Sequence, residues 1–483
     1  MKKLLSLLLS ALMILTLTAC SSGFKGGTYE GSAKGFSSDI KLQVTISDDK
    51  VITGIARESA DTSNIGEAAM DLLTDKILTN NTVDLDAVAG ASISSNGFIE
   101  AVNAALKAAG LSATDLKVVE GNETGDAELD ADVVVIGAGG AGMTAAIKAA
   151  KEGKSVIILE KGAVTGGNTS RSTGGMNAAK TDLQDSNEFG EDAGIEKTLK
   201  AAEAYPDLVE LAGTVKFSYD EYKANPEGYF DSVELFALDT MIGGKGINNP
   251  DLVWTMCSNS AAAIDWLAGL DTPILLTNVG AFGGASVKRI HRPVNAEGKT
   301  MSVGAYLVPL LEENCDKLGI DIITETKAEK ILTDENGKAV GVEATGANGK
   351  VTVNAKAVVI ATGGFGGNLE MVAQLKPELD GFITTNTSTC TGDGIVMAQE
   401  LGADTVDMDQ IQIHPTVLQS NGALITEGLR GDGAILVNQE GVRFTDEVGT
   451  RDAVSAAELA QTGGYAYLIV DQKMIDASTV IQG

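Results

Sequence analysis

The chain has few cysteines and histidines, the residues that form disulfides and bind transition metals. Only four of its 483 residues are cysteine and two are histidine. The cysteines, Cys20, Cys257, Cys315 and Cys390, lie far apart, and no C-x-x-C or C-x-x-C-H occurs. A disulfide framework, a dithiol redox pair, covalent haem and a metal centre are therefore not predicted.

Basic residues are scarce relative to acidic ones. There are 36 Lys and Arg against 66 Asp and Glu, which gives a net charge of −30. This balance argues against nucleic acid as a partner, because binding to phosphates needs a basic surface. It leaves room for an anionic small molecule, since surface charges are screened within about 10 Å. The content of 44% hydrophobic and 4% aromatic residues is typical of Ala-, Gly- and Val-rich α/β proteins.

The N-terminus predicts export. Lys2 and Lys3 precede an apolar run over residues 4–17, which ends in Leu-Thr-Ala before Cys20. Residues 1–19 have the pattern of a signal peptide, and their end resembles the lipobox of bacterial lipoproteins. We expect Cys20 to carry lipid, which makes the protein extracytoplasmic and lipid-anchored to the bacterial cell membrane rather than embedded in it. The alternative is an ordinary signal peptide followed by a chance cysteine.

The most specific pattern lies between Asp132 and Glu160. An apolar run at 133–136 precedes the turn, and a second at 156–159 ends at Glu160. The turn carries three glycines in G-x-G-x-x-G spacing: Gly137, Gly139 and Gly142. This order predicts a strand, a tight turn, a helix and a second strand. The glycines let the backbone approach a pyrophosphate at the helix N-terminus, and Glu160 is placed to bind a ribose hydroxyl. The segment therefore predicts dinucleotide binding.

A small α+β domain is predicted over residues 24–119, followed by a Gly- and acid-rich linker at 120–129. Alternating apolar residues at 40–46 predict a hairpin of two strands. Helical periodicity follows at 68–78 and again at 99–109.

This small domain resembles the FMN-binding domain of bacterial respiratory flavoproteins. Those domains hold FMN through a phosphoester to Ser or Thr in a D-x-x-[ST]-G-A-[TS] motif. Four positions match here: Asp86, Gly90, Ala91 and Ser92. Ala89 departs from the motif. The resemblance implies covalent FMN at Ser92, with Ser94 as the alternative, and a flavin transferase that attaches it. In the competing interpretation, Ser92–Ser95 only cap the following helix.

From Asp130 onwards the sequence resembles the soluble fumarate reductase family, within the succinate dehydrogenase and fumarate reductase flavoproteins. The motifs that carry the resemblance are GAGGAG, GGNTSRSTGGMN, GGASVKRIHRP, ATGGFGGN, TGDG, IHPT, LITEGLRGDGAILVN and TRD. They imply an α/β fold, with a Rossmann-like FAD domain over 130–405 and an incomplete inserted capping domain over 406–483. The family's covalent FAD link uses a His that is missing between Glu160 and Met176, so non-covalent FAD is expected.

The same motifs extend the expected FAD site beyond the first turn. Their small and polar residues allow the backbone to lie close to a flat or charged ligand. Besides the three turn glycines and Glu160, the residues expected at FAD are Lys161, Gly167, Asn168, Thr169, Gly174, Gly175, Thr362, Gly363 and Asp393.

The resemblance also implies chemistry in the segment 414–451. Reduction of a C=C bond beside a carboxylate needs a hydride donor, a proton donor on the opposite face, and groups that hold the carboxylate. His414 and Thr426 are implied to hold the carboxylate. Arg451 is implied to donate the proton, and Glu427 with Arg430 to reprotonate it. The alternative for each residue is an ordinary loop, ion-pair or surface role.

We therefore expect an FAD-dependent oxidoreductase acting on CH–CH groups. The expected reaction reduces an α,β-unsaturated carboxylate, foremost fumarate to succinate, in anaerobic respiration. Electrons are expected to enter through FMN from a quinol-linked or flavin-based membrane donor. Urocanate, methacrylate or another enoate is the alternative substrate, and a non-catalytic electron-transfer lipoprotein is the alternative function.

The resemblance also bears on the end of the chain. Family members continue beyond Gly483 with a second substrate-binding His and Arg and a glycine-rich flavin segment. We expect the chain to be C-terminally truncated or a partial sequence, with a half-built substrate site and little fumarate turnover of its own.

Overall fold

The computed structural model describes residues 24–36, 38–59, 64–88, 91–118, 125–281, 285–420, 422, 424–425, 428–431 and 433–477. The predicted signal segment and Cys20 lie outside the described residues. The chain divides into two compact units, a small one mainly from the first 121 residues and a large one mainly from the rest. Within the described residues, no helix is both long enough and apolar enough to cross a membrane.

The small unit is built on a three-stranded antiparallel sheet with strand order β1-β2-β3. Its elements are β1 (Gly27–Lys34), β2 (Asp39–Ile46), β3 (Ile52–Ser59), α1 (Asn64–Asn80) and α2 (Ser92–Ala108). The predicted hairpin of two strands was one strand short. The alternation was predicted correctly, because Ile40, Leu42, Val44 and Ile46 are all buried on one face of β2.

Two glycines allow β1 and α2 to pack at backbone distance. A Cβ on Gly31 would lie 2.0 Å from the carbonyl oxygen of Ala101 in α2. A Cβ on Gly97 would lie 2.2 Å from the carbonyl oxygen of Lys34 at the end of β1. Neither position has room for a side chain, so this contact explains both glycines.

The large unit contains strands of three sheets. In chain order they are β4 (Ala127–Ile136), β5 (Val156–Leu159), β6 (Met176–Asn177), β7 (Asn278–Gly280), β8 (Ile290–Arg292), β9 (Asp321–Ile323), β10 (Lys327–Thr333), β11 (Ala339–Gly346), β12 (Gly349–Ile360), β13 (Ile435–Val437) and β14 (Tyr467–Ile469). The main sheet has the order β10-β11-β12-β4-β5-β9, and β6-β8-β7 and β13-β14 form two smaller sheets.

The predicted dinucleotide-binding strand lies inside the main sheet. β4 pairs in parallel with β5 on one side and with β12 on the other. β5 in turn pairs in parallel with β9, whereas β10, β11 and β12 form an antiparallel meander. The predicted α/β fold is confirmed. β4 begins at Ala127, inside the predicted linker, because residues 127–130 pair with residues 351–354 of β12.

Helices cover the sheet and form a separate block. The helices of the large unit are α3 (Gly140–Lys151), α4 (Gly167–Ser170), α5 (Asp192–Ala202), α6 (Val209–Ala224), α7 (Val233–Gly243), α8 (Pro250–Ala268), α9 (Val303–Lys317), α10 (Leu369–Leu375), α11 (Asp393–Glu400), α12 (Gly428–Gly431), α13 (Arg451–Leu459) and α14 (Gln472–Ala477). α3 and α9 share one apolar core with β4 and β5. Met397 of α11 lies in the core on the other face, with β10 to β12.

Helices α5 to α8 form a block with its own core, inserted between β6 and β7. Aromatic rings fill much of it. The Phe189 ring lies 5.2 Å from that of Tyr222 and 5.5 Å from that of Tyr229, both edge-on. The sequence interpretation placed these residues in the FAD domain without anticipating this block.

A buried ion cluster connects this block to the sheet of β6, β8 and β7. The Arg289 guanidinium, just before β8, donates two bonds to Asp231, of 3.0 and 2.6 Å, and one of 2.8 Å to Asp239 in α7. Burial alone acts to lower the pKa of Arg289, but the two carboxylates outweigh it and raise that pKa. Arginine is suited to such a position because its five donors can serve two acids.

Candidate functional site

The glycine turn between β4 and α3 has the geometry that its spacing predicts. Gly137 has a φ of 105°, which favours glycine, and its Cβ would lie 2.6 Å from the carbonyl oxygen of Ala361. A Cβ on Gly142 would lie 1.9 Å from the carbonyl oxygen of Gly137. The turn is therefore closed against β12 and against its own helix, and α3 starts directly after Gly139.

Glu160 holds this turn in place. It follows β5 and is buried, with 8% of its surface exposed. One carboxylate oxygen accepts the Ala138 N–H at 2.8 Å, and the other accepts the Gly162 N–H at 2.7 Å. The carboxylate also borders the cavity described next. Its contact with a ribose hydroxyl stays a prediction.

A cavity of about 200 Å³ lies above the turn, at the carboxyl ends of β4, β5 and β12. Ten of the residues expected at FAD border it: Gly137, Gly139, Glu160, Lys161, Gly167, Asn168, Thr169, Thr362, Gly363 and Asp393. The edge where strands of an open α/β sheet end is the usual place for a ligand.

Three predicted residues do not border this cavity. Gly142 packs against the turn itself, as described above. A Cβ on Gly175 would lie 2.3 Å from the carbonyl oxygen of His291, so this glycine serves the pairing of β6 with β8. The nearest atom to a Cβ on Gly174 is Ile290 Cδ1 at 3.8 Å. At Gly142 and Gly175 the structure shows close packing within the protein, and the contact of Gly174 with FAD stays a prediction.

Other residues of the cavity wall were not among those expected at FAD, although Gly140 and Gly166 lie within the quoted motifs. They include Gly140, Gly166, Thr326, Lys327, Thr387, Thr389 and Cys390. Thr326 and Lys327 border the cavity because β10 begins beside the end of β5. Thr387 to Cys390 directly precede the TGDG motif, and that position was the one available sequence signal.

Polar contacts join the distant parts of the wall. Lys161, after β5, donates to both Asp393 and Thr391 of the TGDG motif. Burial acts to raise the pKa of the Asp393 carboxyl, but hydrogen bonds from Lys161 and Thr391, together with the charges of Lys161 and Lys327, lower it. Asp393 is thus held as a carboxylate at the cavity.

The wall fits a dinucleotide cofactor. Gly139 and Gly167 border the cavity, and a Cβ on Gly167 would meet no atom within 4 Å. Side chains at Gly139 and Gly167 would occupy the cavity and would not clash with other protein atoms. Gly140 N–H donates to Thr169 Oγ1 at 3.0 Å, which holds the 166–170 loop against the N-terminus of α3. Backbone amides and a helix N-terminus are suited to a pyrophosphate.

The residues implied in chemistry lie in the C-terminal segments. Thr426 and Glu427 are outside the described residues. Arg451 is the first residue of α13, and its Nη1 donates to Gln412 Oε1 at 2.5 Å. Ser455, one turn later, donates to the Ile413 carbonyl at 3.4 Å. α13 is therefore packed along the segment that leads to His414.

His414 and Arg430 each contact a backbone carbonyl. The Nδ1 atom of His414 lies 3.1 Å from the carbonyl oxygen of Thr416. Thr416 also exchanges hydrogen bonds with Ile425, through its backbone carbonyl at 3.0 Å and its hydroxyl at 2.8 Å. Arg430, with 4% of its surface exposed, donates to the Glu447 carbonyl at 2.8 Å. The structure thus gathers the segments of His414, Arg430 and Arg451.

Comparison with known proteins agrees with this architecture. The FAD binding domain family matches residues 132–211 and 213–480, more than half of the chain, and the FMN-binding domain family matches residues 35–107. NADH:fumarate oxidoreductase of Klebsiella pneumoniae (strain 342) is 37% identical over 462 residues, 95% of this chain and 44% of that protein. Urocanate reductase of Eggerthella lenta is 33% identical over 471 residues, 96% of this chain and 70% of that protein.

A solved structure gives the same result. The open conformation of a flavocytochrome c3 fumarate reductase has a TM-score of 0.56 and 34% identity, over 72% of this chain and 54% of that one. This chain belongs to the family of FAD-binding flavoproteins that includes the fumarate reductases, and it carries an FMN-binding domain ahead of the FAD-binding domain. It spans about half the length of the two fumarate-reducing relatives, 44% and 54%.

We expect Gly142→Ala to lower the melting temperature and abolish FAD retention, because the added methyl group collides with the Gly137 carbonyl that shapes the turn. Overpacking of this kind costs about 1–3 kcal/mol. The measurements are thermal unfolding and flavin absorbance after gel filtration.

The matched control is Gly213→Ala in α6, where the new methyl group meets no atom within 4 Å. It is expected to leave FAD binding intact and to stabilise the helix by up to ~1 kcal/mol. Wild-type stability and FAD content in Gly142→Ala would contradict the structural role given to Gly142.

Proposed function

We propose that the whole protein reduces the C=C bond of an α,β-unsaturated carboxylate, foremost fumarate to succinate. The observation that carries this proposal is the packing of Arg451 at the start of α13 against the segment of His414. A cation and an imidazole on neighbouring segments are suited to holding a carboxylate. The likeness to a fumarate oxidoreductase over 95% of this chain supports the same substrate.

The cofactor cavity supplies the reducing group in this proposal. When FAD is bound there, it would supply the hydride. The wall residues Glu160, Lys161 and Asp393 would hold it, and their own hydrogen bonds keep them in place. Preorganised surroundings of this kind lose little energy in reorganisation during the reaction.

The protein's own residues hold the substrate and move the proton. His414 and Thr426 bind one carboxylate. Arg451 binds the anion and donates a proton to the carbon opposite the hydride. An arginine, with a pKa above about 12, can act as an acid here because hydride transfer creates a strongly basic carbon beside it. Glu427 and Arg430 return a proton to Arg451.

A second substrate is favoured by a specific observation. The urocanate reductase of Eggerthella lenta matches over 96% of this chain, and this chain covers 70% of its length. Urocanate, like fumarate, is an enoate, so the same anion-binding groups serve both. Methacrylate and other enoates belong to the same class of candidates.

Turnover by the whole, flavin-loaded protein decides between these possibilities. The assay follows oxidation of reduced methyl viologen with fumarate, urocanate, acrylate or methacrylate, each over a range of concentrations. We expect the highest kcat/KM with fumarate. A urocanate preference would reassign the substrate within the class, and no turnover with any enoate would leave the non-catalytic electron-transfer function.

Arg451→Lys is expected to lower kcat about 10³-fold, in the range for loss of a general acid, with flavin content unchanged. Lysine keeps the charge but loses the planar fork that reaches both carboxylate and carbon. His414→Ala is expected to be milder and to act mainly on KM, since it removes one charge-assisted hydrogen bond, worth roughly 1.5–3 kcal/mol.

The control for this pair is Arg57→Lys, the same substitution at an arginine of the small unit that pairs with Asp71, whose side chain is 69% exposed. Its kinetics should match wild type. Near-normal turnover by Arg451→Lys removes Arg451 as proton donor.

FMN is proposed to receive electrons first and to be covalently attached at Ser92. Ser92 is the first residue of α2 and is exposed, as is Ile93 beside it. Ser94, the alternative, has 3% of its surface exposed and is poorly placed for a bulky ester. Attachment requires a flavin transferase in the same cell.

After co-expression with that transferase, acid precipitation should release FAD, and FMN should stay in the pellet. Ser92→Ala should lose the FMN mass and Ser94→Ala should keep it, read by intact mass spectrometry. FMN retained on Ser92→Ala protein would move the attachment site, and FAD retained in the pellet would show a covalent FAD bond.

We further propose that the protein is an extracytoplasmic lipoprotein anchored through Cys20, close to a quinol-linked or flavin-based membrane donor. The motif before Cys20 supports this. Cys20→Ala protein is expected to stay unprocessed or to leave the membrane fraction on cell fractionation. Wild-type migration and fractionation of that variant would exclude lipidation at Cys20.

A further inference from the structure

One face of α9 runs along the loop that forms part of the cofactor wall. Gly304, Val308 and Glu312 follow one another at intervals of four residues and therefore lie on the same side of the helix. A Cβ on Gly304 would lie 1.9 Å from the carbonyl oxygen of Thr169, and a Cβ on Gly166 would lie 3.0 Å from a methyl group of Val308. The helix and the loop are therefore packed together with no room for larger residues between them.

Glu312 adds a polar contact at the C-terminal end of this face. The Thr165 hydroxyl donates to one oxygen of the Glu312 carboxylate. Burial raises the pKa of Glu312, the bond from Thr165 opposes that effect, and the charge of Asp316 one turn later raises the pKa further. The next residue, Glu313, differs because it pairs with the ammonium group of Lys317 at 2.8 Å. Glu312 is thus a half-buried acid that bonds to the residue directly before the loop.

A carboxylate at this place costs more free energy than an apolar side chain would. Charged groups lose hydration on burial, and a hydroxyl compensates less of that loss than a cation does. Gly304 and Val308 meet the loop without any charged group. What the carboxylate adds is direction, because a hydrogen bond fixes the angle as well as the distance of its donor. It therefore fixes the position of Thr165, whereas an apolar residue would only fill the space.

Thr165 directly precedes the part of the loop that borders the cofactor cavity. Gly166 follows it with a φ of 94°, and the Gly166 N–H donates to the carbonyl oxygen of Ala138 in the glycine turn at 2.8 Å. Gly166, Gly167 and Thr169 all border the cavity. The loop is therefore bonded both to the glycine turn and to α9, and a shift of Thr165 would move the backbone that faces the cofactor.

We propose that Glu312 is a positioning residue for FAD, which acts through the Thr165 hydroxyl and sets how long the cofactor stays bound. The bond keeps the backbone of residues 166–169 beside the N-terminus of α3, where backbone amides suit a pyrophosphate. This role goes beyond the proposed function, because it concerns retention of FAD and holds whichever enoate the protein reduces.

The test measures release of FAD from the whole, flavin-loaded protein. After dilution, the FAD that passes an ultrafilter is quantified over time by chromatography, which separates it from FMN. Thr165→Val removes the donor and Glu312→Leu removes the acceptor. Each is expected to raise the rate of FAD release about tenfold, in the range for loss of a hydrogen bond to a charged group. The double variant should release FAD no faster than the more affected single variant, because both substitutions break the same bond.

Conservative variants and a matched control accompany this measurement. Thr165→Ser keeps the hydroxyl and Glu312→Gln keeps an acceptor oxygen, so both should stay within about threefold of the wild-type rate. The control is Glu313→Leu, the same substitution at the next residue, whose carboxylate pairs with Lys317 and does not contact the loop. Its release rate should match that of wild type.

The melting temperature of the FAD-free protein separates positioning from a general loss of stability. It should be the same in wild type, Thr165→Val and Glu312→Leu, since the proposed role concerns the bound cofactor. Wild-type release rates in both variants would overturn the proposal. Faster release that the conservative variants share, or that accompanies a lower melting temperature of the FAD-free protein, would overturn it too. Enoate turnover enters none of these measurements, so failure of the proposed function would leave their outcome unchanged.

Discussion

The placement of the helical block depends on one buried guanidinium. Arg289 bonds to Asp231, in the segment before α7, and to Asp239, within α7. Its backbone carbonyl also accepts the Ala178 N–H and faces Nδ1 of the buried His291. Loss of one partner from such a cluster leaves a buried charge without compensation and typically costs about 3–5 kcal/mol. The cluster therefore sets how α7 lies against β8.

The position of β8 in turn affects the wall of the cofactor cavity, because β6 and α9 contact the loop that forms part of that wall. β8 pairs with β6, which directly follows the loop of Gly167 to Gly175. The Gly304 backbone of α9 packs against the Thr169 carbonyl, where a Cβ would lie 1.9 Å away. The loop over the cavity is thus held from two sides by elements whose own residues do not border the cavity. Conserving its shape requires small residues in those elements as well as in the loop.

Sequence reasoning succeeded where the information is local. The turn at Gly137, the strands beside it and the buried acid after β5 follow from spacing within about thirty residues of chain, because the chemistry of a glycine turn is a local property. The position of Ser92 at the N-terminus of a helix also agrees with the interpretation of a short motif.

Sequence reasoning failed for residues that are far apart in the chain and are brought together only by the fold. Lys327 and Thr387 reach the cavity because β10 begins beside the end of β5 and the loop before α11 runs past the same place. The rings of Phe189 and Tyr229 meet across forty residues of loop and helix, and no short motif marks their contact.

The strand order has a consequence for how the chain is made. β4 pairs with β5 early in the sequence, but its other neighbour, β12, is 224 residues further on, as in the contact between Asp132 and Lys356. During synthesis, the apolar edge at residues 133–136 emerges long before the strand that covers it. Unpaired edges of this kind invite pairing with other chains. The helical block of α5 to α8 lies between the two strands in the sequence and can fold in that interval. Its folding shortens the stretch of nascent chain that has no structure before β12 is made.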